Sequence, residues 1–223
     1  MPNYVNHRME INAPSKDRLK EILNSIQSVD DEGTVWPIDF NSIEPRPEGL
    51  EFDFSLAEEM AASYLVRDLL YPAAKRWATD EWDSLTEEQQ KKCTPGARKM
   101  IENILKYGYP NAIEWACGRW GTKWNALEAS REGTNVILFQ TAWCLPDKVL
   151  KTLSEKFEDT TFKVTYADEN IGCNCGIAEY KNGEASFFEP IACSIEAYEL
   201  AFSLWPHRRD DYVLTENGYE DKE

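Results

Sequence analysis

The segment 119–146, RWGTKWNALEASREGTNVILFQTAWCLP, constrains the fold more than any other. Residues 123–130 and 135–142 are two runs of strand length. Between them Arg131-Glu132-Gly133-Thr134 is polar and contains the glycine that a tight turn uses. In the second run Val136, Leu138 and Gln140 share one face, and Ile137, Phe139 and Thr141 the other. Apolar residues on both faces predict a central strand, covered on at least part of its second side. In the first run Trp124, Ala126 and Glu128 lie opposite Lys123, Asn125 and Leu127. That weaker alternation predicts an outer or partly exposed strand.

The chain before the hairpin opens with a strand over residues 3–12, carrying Val5, His7, Met9 and Ile11 on one face. His7, among apolar neighbours, reads as a structural histidine. Ser15 is a candidate N-cap for a helix over 16–28, where Leu19, Ile22, Leu23 and Ile26 form a single apolar stripe. Residues 29–53 hold Gly33, Pro37, Pro45, Pro47 and Gly49 and read as an irregular connection with a short extended piece at 35–40. Such long segments are functional or belong to an inserted module. From Ser55 the pattern is helical. Leu56, Met60, Tyr64, Leu65, Leu69 and Leu70 form a stripe that Pro72 interrupts, and a further helix beyond Pro72 carries Trp77. Ser84 or Thr86 caps a short helix through Lys92. Thr94 followed by Pro95 reads as the start of the next, with Met100, Ile101, Ile104 and Leu105, ending near Gly108. Residues 55–118 are therefore expected to be a helical insertion with Trp77, Trp82, Tyr107, Tyr109 and Trp115 as its own core, rather than as a cofactor cage.

After the hairpin, Pro146 and Asp147 begin a helix through Phe157, striped by Val149, Leu150 and Leu153. A strand over 161–167 follows, then a turn with Gly172 and a strand over 173–180. Asn182-Gly183 is a strong hairpin signal leading into 185–188. Ser194 caps a last helix bearing Ile195, Tyr198, Ala201, Phe202 and Trp205, which Pro206 stops. Residues 206–223 read as a charged, partly mobile tail.

With residues 29–120 set aside, the order is strand, helix, strand, strand, helix, strand. This predicts an α+β, ferredoxin-like split βαβ fold: an antiparallel sheet with both helices on one face and a helical insertion after the first helix. The expected domains are 1–28 with 119–205 as the discontinuous ferredoxin-like part, 29–118 as the insertion and 206–223 as the tail. A chain of 223 residues has room for such an insertion.

Charge and motifs bound the function. The net charge is −16; residues 29–60 carry ten acidic groups against one basic, and 161–223 thirteen against five. A field of that sign repels nucleic-acid backbones and anionic membranes, and suits a basic protein partner met through an acidic surface, or solubility alone. HExxH, GxSxG, P-loop and dinucleotide fingerprints are absent from the sequence, so a non-enzymatic role is expected. The six cysteines lack a CxxC pair and there are two histidines, His7 and His207. Cys173 and Cys175 share a strand face, but without further ligands no metal and no cofactor is expected. Unpaired thiols, no apolar run of membrane-spanning length and no signal pattern at the N-terminus together predict a cytoplasmic protein. The best candidate site is Trp120, Lys123, Trp124, Asn125 and Trp143, which combine aromatic area with one cation and one amide suited to an anionic or planar ligand. The same residues also read as anchors of the insertion on the sheet, with Lys123 at the surface.

Three stretches carry a family resemblance: Pro2, Asn3, Asn6 and Ile11; Trp120 to Ala126 (WGTKWNA); and Phe139, Thr141, Ala142, Trp143 and Pro146. Tyr166, Glu169, Gly172 and Gly176 add to it. Together they resemble the YubB-type ferredoxin-like proteins of bacterial plasmids, phages and integrated elements. The resemblance covers about half the chain, outside the insertion, and implies the fold and a mobile-element origin. It implies no activity and no catalytic residue.

Overall fold

A computed structural model describes residues 3–50 and 53–222; Pro2, one of the residues of the resemblance, lies outside them. In chain order the elements are β1 (Tyr4–Asn12), α1 (Lys16–Ile26), β2 (Ser28–Val29), β3 (Val35–Trp36), α2 (Phe40–Ile43), α3 (Leu56–Leu65), α4 (Pro72–Asp83), α5 (Glu87–Tyr107) and α6 (Ala112–Arg119), then β4 (Leu127–Glu132), β5 (Val136–Ala142), α7 (Asp147–Lys156), β6 (Thr161–Asp168), β7 (Cys175–Lys181), β8 (Glu184–Phe188), α8 (Ile195–Leu204), β9 (Tyr212–Thr215) and β10 (Gly218–Asp221). They form two compact units: Met1–Pro45 with Ala116–Glu223, and Arg46–Trp115.

The first unit is built on an antiparallel sheet of order β4-β5-β1-β6-β7-β8. α1 leads from β1 to β4 past β5, and α7 from β5 to β6 past β1. This interleaving is the split βαβ arrangement expected from the element order. Register explains the core. His7 pairs with Phe139 and Tyr166, Met9 with Ile137 and Val164, and Ile11 with Phe162, so one face carries a continuous apolar row. These side chains are buried together with Ile22, Leu23 and Ile26 of α1 and Val149, Leu150 and Leu153 of α7. Each large aliphatic or aromatic side chain so buried contributes about 1.5–3 kcal/mol. Ala167 and Cys175 point to the opposite face, where Ala197, Ala201 and Phe202 of α8 cover them. Ser15 and Ser194 cap α1 and α8 through their hydroxyls.

Several boundaries differ from the sequence reading. β4 starts at Leu127, not at residue 123, because the Asn125 carboxamide oxygen accepts from its own neighbour Ala126 N–H and from Phe40 N–H, which draws 123–126 into a loop. Arg131 and Glu132 belong to β4, and the turn is 133–135. Residues 29–45, expected with the insertion, lie in the sheet unit. There the Asp30 carboxylate accepts from Glu32 and Thr34 N–H and closes the β2–β3 turn, and Phe40 packs edge-on against Trp120 and Phe139. The expected mobile tail is ordered through residue 222: β9 and β10 pair, and Tyr212 and Tyr219 pack on Tyr198 and Phe202.

The second unit is helical. Thr86 and Gln89 form a reciprocal capping box that starts α5. α5 then runs unbroken through Pro95, so Thr94 is not a cap; its hydroxyl donates to Gln90 C=O within the helix. Gly108, in the left-handed region, ends it. α3 and α5 meet through Ala61, Ala62, Cys93 and Ala97. Small residues thus let the helices approach closely. Of the expected aromatic core, Trp115 is buried and Trp82 stacks on Tyr64, but Trp77 stands outside. Among the described residues no helix is long and apolar enough to cross a membrane.

Candidate functional site

The five residues singled out by sequence separate into two groups. Trp120 is 1% exposed, its indole N–H donates to Glu44 C=O at 2.9 Å, and its ring meets Phe40 at 5.8 Å. It is a core residue. Asn125 uses its oxygen on Phe40 and Ala126 N–H and its amide nitrogen on Asp39 Oδ1 at 2.7 Å, so its side chain holds the loop together. The other three converge: Lys123 Nζ lies 5.0 Å from the Trp124 ring centroid and 4.9 Å from that of Trp143.

Trp143 is held outward by its backbone. It has φ 73, a conformation unfavourable for a bulky side chain, and is 48% exposed. Its N–H donates to Asn3 C=O at 2.9 Å, and its C=O accepts from the Asn174 amide at 3.1 Å. Asp168, 5% exposed, accepts from both Asn3 and Asn174 and so ties the two contacts together. The result is an aromatic clamp filled by the chain's own ammonium, with Lys123 and Trp124 half-buried, a cation–π contact of about 0.5–1 kcal/mol.

His7 carries no comparable chemistry. It is 1% exposed and stacked 4.7 Å from Phe139, and neither ring nitrogen has a hydrogen-bond partner. Burial lowers its pKa to about 3, offset only in part by the nearby backbone of Phe139 and Val5, which lies outside hydrogen-bond geometry. The imidazole is neutral at physiological pH. Among the described residues no group of three or more His, Cys, Asp or Glu is placed to hold a metal ion.

Trp77, expected in the core of the helical insertion, instead lines a groove of that unit. Between α3, α5, the segment linking α3 to α4, and Trp77 of α4 runs a groove of about 650 Å³. Its lining includes Leu56, Met60, Val66, Leu69, Trp77, Ile101, Ile104 and Leu105, and Glu59 is its one charged residue. Leu69 is 87% exposed, Leu105 82%, Leu56 71% and Trp77 53%. Periodicity could not separate this surface from a core, since both produce an apolar stripe. The available signal was width: Ile101, Ile104 and Leu105 on α5, beside the buried Cys93–Ala97 seam, make an arc broader than one helix contact needs.

Comparison with known proteins bears on the sheet unit. Residues 119–204 match the family model described as ferredoxin-like domain in Api92-like protein. Among solved structures, the crystal structure of protein api92 from Yersinia pseudotuberculosis matches with 10% identity and a TM-score of 0.35, covering 85% of this chain and 99% of that one. No curated protein matches the chain. The segment from the end of α6 through α8 is a ferredoxin-like domain, similar to the one in Api92-like protein.

Proposed function

We propose that the chain works by binding a protein partner, and that the groove of the helical unit receives an amphipathic helix bearing a basic residue opposite Glu59. The observation that carries this reading is the set of large apolar side chains left at the groove, with Leu69 and Leu105 more than four-fifths exposed. Contiguous exposed apolar surface bordered by polar residues is the usual mark of a docking site, and a groove between helices suits anchors spaced i, i+3, i+4 and i+7. The net charge of −16 favours a basic partner through long-range attraction. The acidic run 29–60 is divided between the two units, so the apolar groove is the more specific element of the proposal. A cytoplasmic setting and the mobile-element origin implied by the YubB-type resemblance belong to this same proposal.

The test is a titration of the whole protein with a synthetic Leu/Lys amphipathic helix, followed by methyl NMR. Shifts concentrated on Met60, Ile101, Ile104 and Leu105, and lost in a Leu69→Ser/Leu105→Ser variant, are expected. Shifts confined to other methyls, or none, would refute the groove.

A second reading is favoured by the clamp, where Lys123 lies between Trp124 and an outward-held Trp143. An anionic aromatic ligand would exchange the intramolecular contact for its own contacts with the cation and the indoles. Titration with benzoate, followed by indole fluorescence, should give a saturable change that Lys123→Ala with Trp124→Ala removes while far-UV circular dichroism is unchanged. A change that survives the double substitution would place the ligand elsewhere.

A further inference from the structure

Cys173 and Cys193 are twenty residues apart in sequence, yet their sulfurs lie 4.0 Å apart at the surface of the sheet unit. The backbone brings them together. Cys193 N–H donates to Gly172 C=O at 2.8 Å, pinning the segment before α8 onto the β6–β7 loop. Cys193 itself has φ 61, a conformation a non-glycine residue rarely adopts, and Gly172 has φ 84. A Cβ at Gly172 would meet the Tyr198 ring at 2.9 Å, so the close approach of loop and helix requires glycine there. Cys175 faces inward, is buried, and directs its thiol to Ala197 C=O. Cys193 is exposed and Cys173 half-buried, so reagents reach this pair.

We propose that Cys173 and Cys193 are a redox-modifiable dithiol, closing to an intramolecular disulfide on reaction with a low-molecular-weight disulfide such as oxidised glutathione. The exposed Cys193 thiolate attacks one sulfur of the reagent, giving a mixed disulfide and releasing one thiolate. Cys173, after losing its proton, attacks the Cys193 sulfur and displaces the second thiolate. Two protons and two electrons pass from the protein to the reagent, which leaves as two thiols. Closing a bond of about 2.05 Å draws together sulfurs that now lie 4.0 Å apart. Burial and the neighbouring Cys193 sulfur hold the Cys173 pKa above its ordinary value, so closure accelerates as pH rises through the alkaline range. Because Cys193 immediately precedes the α8 cap Ser194, the bond would fasten the start of that helix to the β6–β7 loop.

The experiment incubates the whole protein with oxidised glutathione under native conditions, then determines intact mass and maps linked peptides. The wild type is expected to lose two hydrogens and to yield one Cys173–Cys193 peptide pair. Cys173→Ser is expected instead to retain a glutathione adduct on Cys193, since the resolving thiol is gone. A lasting adduct on either cysteine of the wild type, a bond involving Cys175, or both thiols remaining free would each overturn the proposal.

Discussion

The sheet unit and the helical unit differ in what fills their interiors. In the sheet unit Trp120, Tyr180, Phe139, Phe162 and Met9 are fully buried, and α1, α7 and α8 cover the sheet from its two faces. In the helical unit the α3–α5 contact is made by alanines and Cys93, while Leu69, Leu105, Leu56 and Trp77 remain outside. A seam of small residues brings helices close but buries little area per residue, so it leaves large side chains available at the rim. Large side chains fill the first interior; small ones line the α3–α5 seam of the second.

Substitutions should break that contrast in a graded way. Phe139→Ala, in the sheet core, is expected to cost about 3–5 kcal/mol in urea unfolding, the usual loss for truncating a buried phenylalanine. Ala97→Leu, in the α3–α5 seam, should cost about 1–3 kcal/mol through overpacking and should affect the helical unit alone. The remaining expected effect is a slope with pH. The His7 pKa falls from its ordinary 6.5 to about 3 on folding, so the unfolded chain takes up the proton first as pH drops. The His7 contribution is therefore complete above pH 6.5 and declines as pH falls toward 3. His7→Phe should flatten this component of the acid unfolding curve.

The legible parts of the fold were those written in local chemistry. Ser15, Ser194 and Asn182-Gly183 announce two helix starts and a hairpin whatever surrounds them, and alternation in β1, β5 and β6 fixed the sheet's inner face. The missed parts depend on distant partners. Residues 29–45 have no period of their own and join the sheet unit through Phe40 on Trp120 and Asp39 on Asn125. Thr94-Pro95 imitates a helix start, but the capping box at Thr86 and the seam at Cys93 and Ala97 carry α5 through it. Asn217-Gly218 in the β9–β10 hairpin was a local signal overlooked in a charged stretch. At the candidate site, residue type alone could not distinguish Trp120 and Asn125, which serve the core and a loop, from Trp124 and Trp143, which flank Lys123.

We assign the exposed Leu69 and Leu105 of the groove to binding and not to folding. The most direct measurement is the urea unfolding free energy of the Leu69→Ser/Leu105→Ser variant beside that of the wild type. At positions 87% and 82% exposed, a change within about 0.5 kcal/mol per site is expected, as for surface substitutions away from structural contacts. A loss of about 2 kcal/mol or more per site, the cost of truncating a buried leucine, would show that these residues belong to the core and contradict the account.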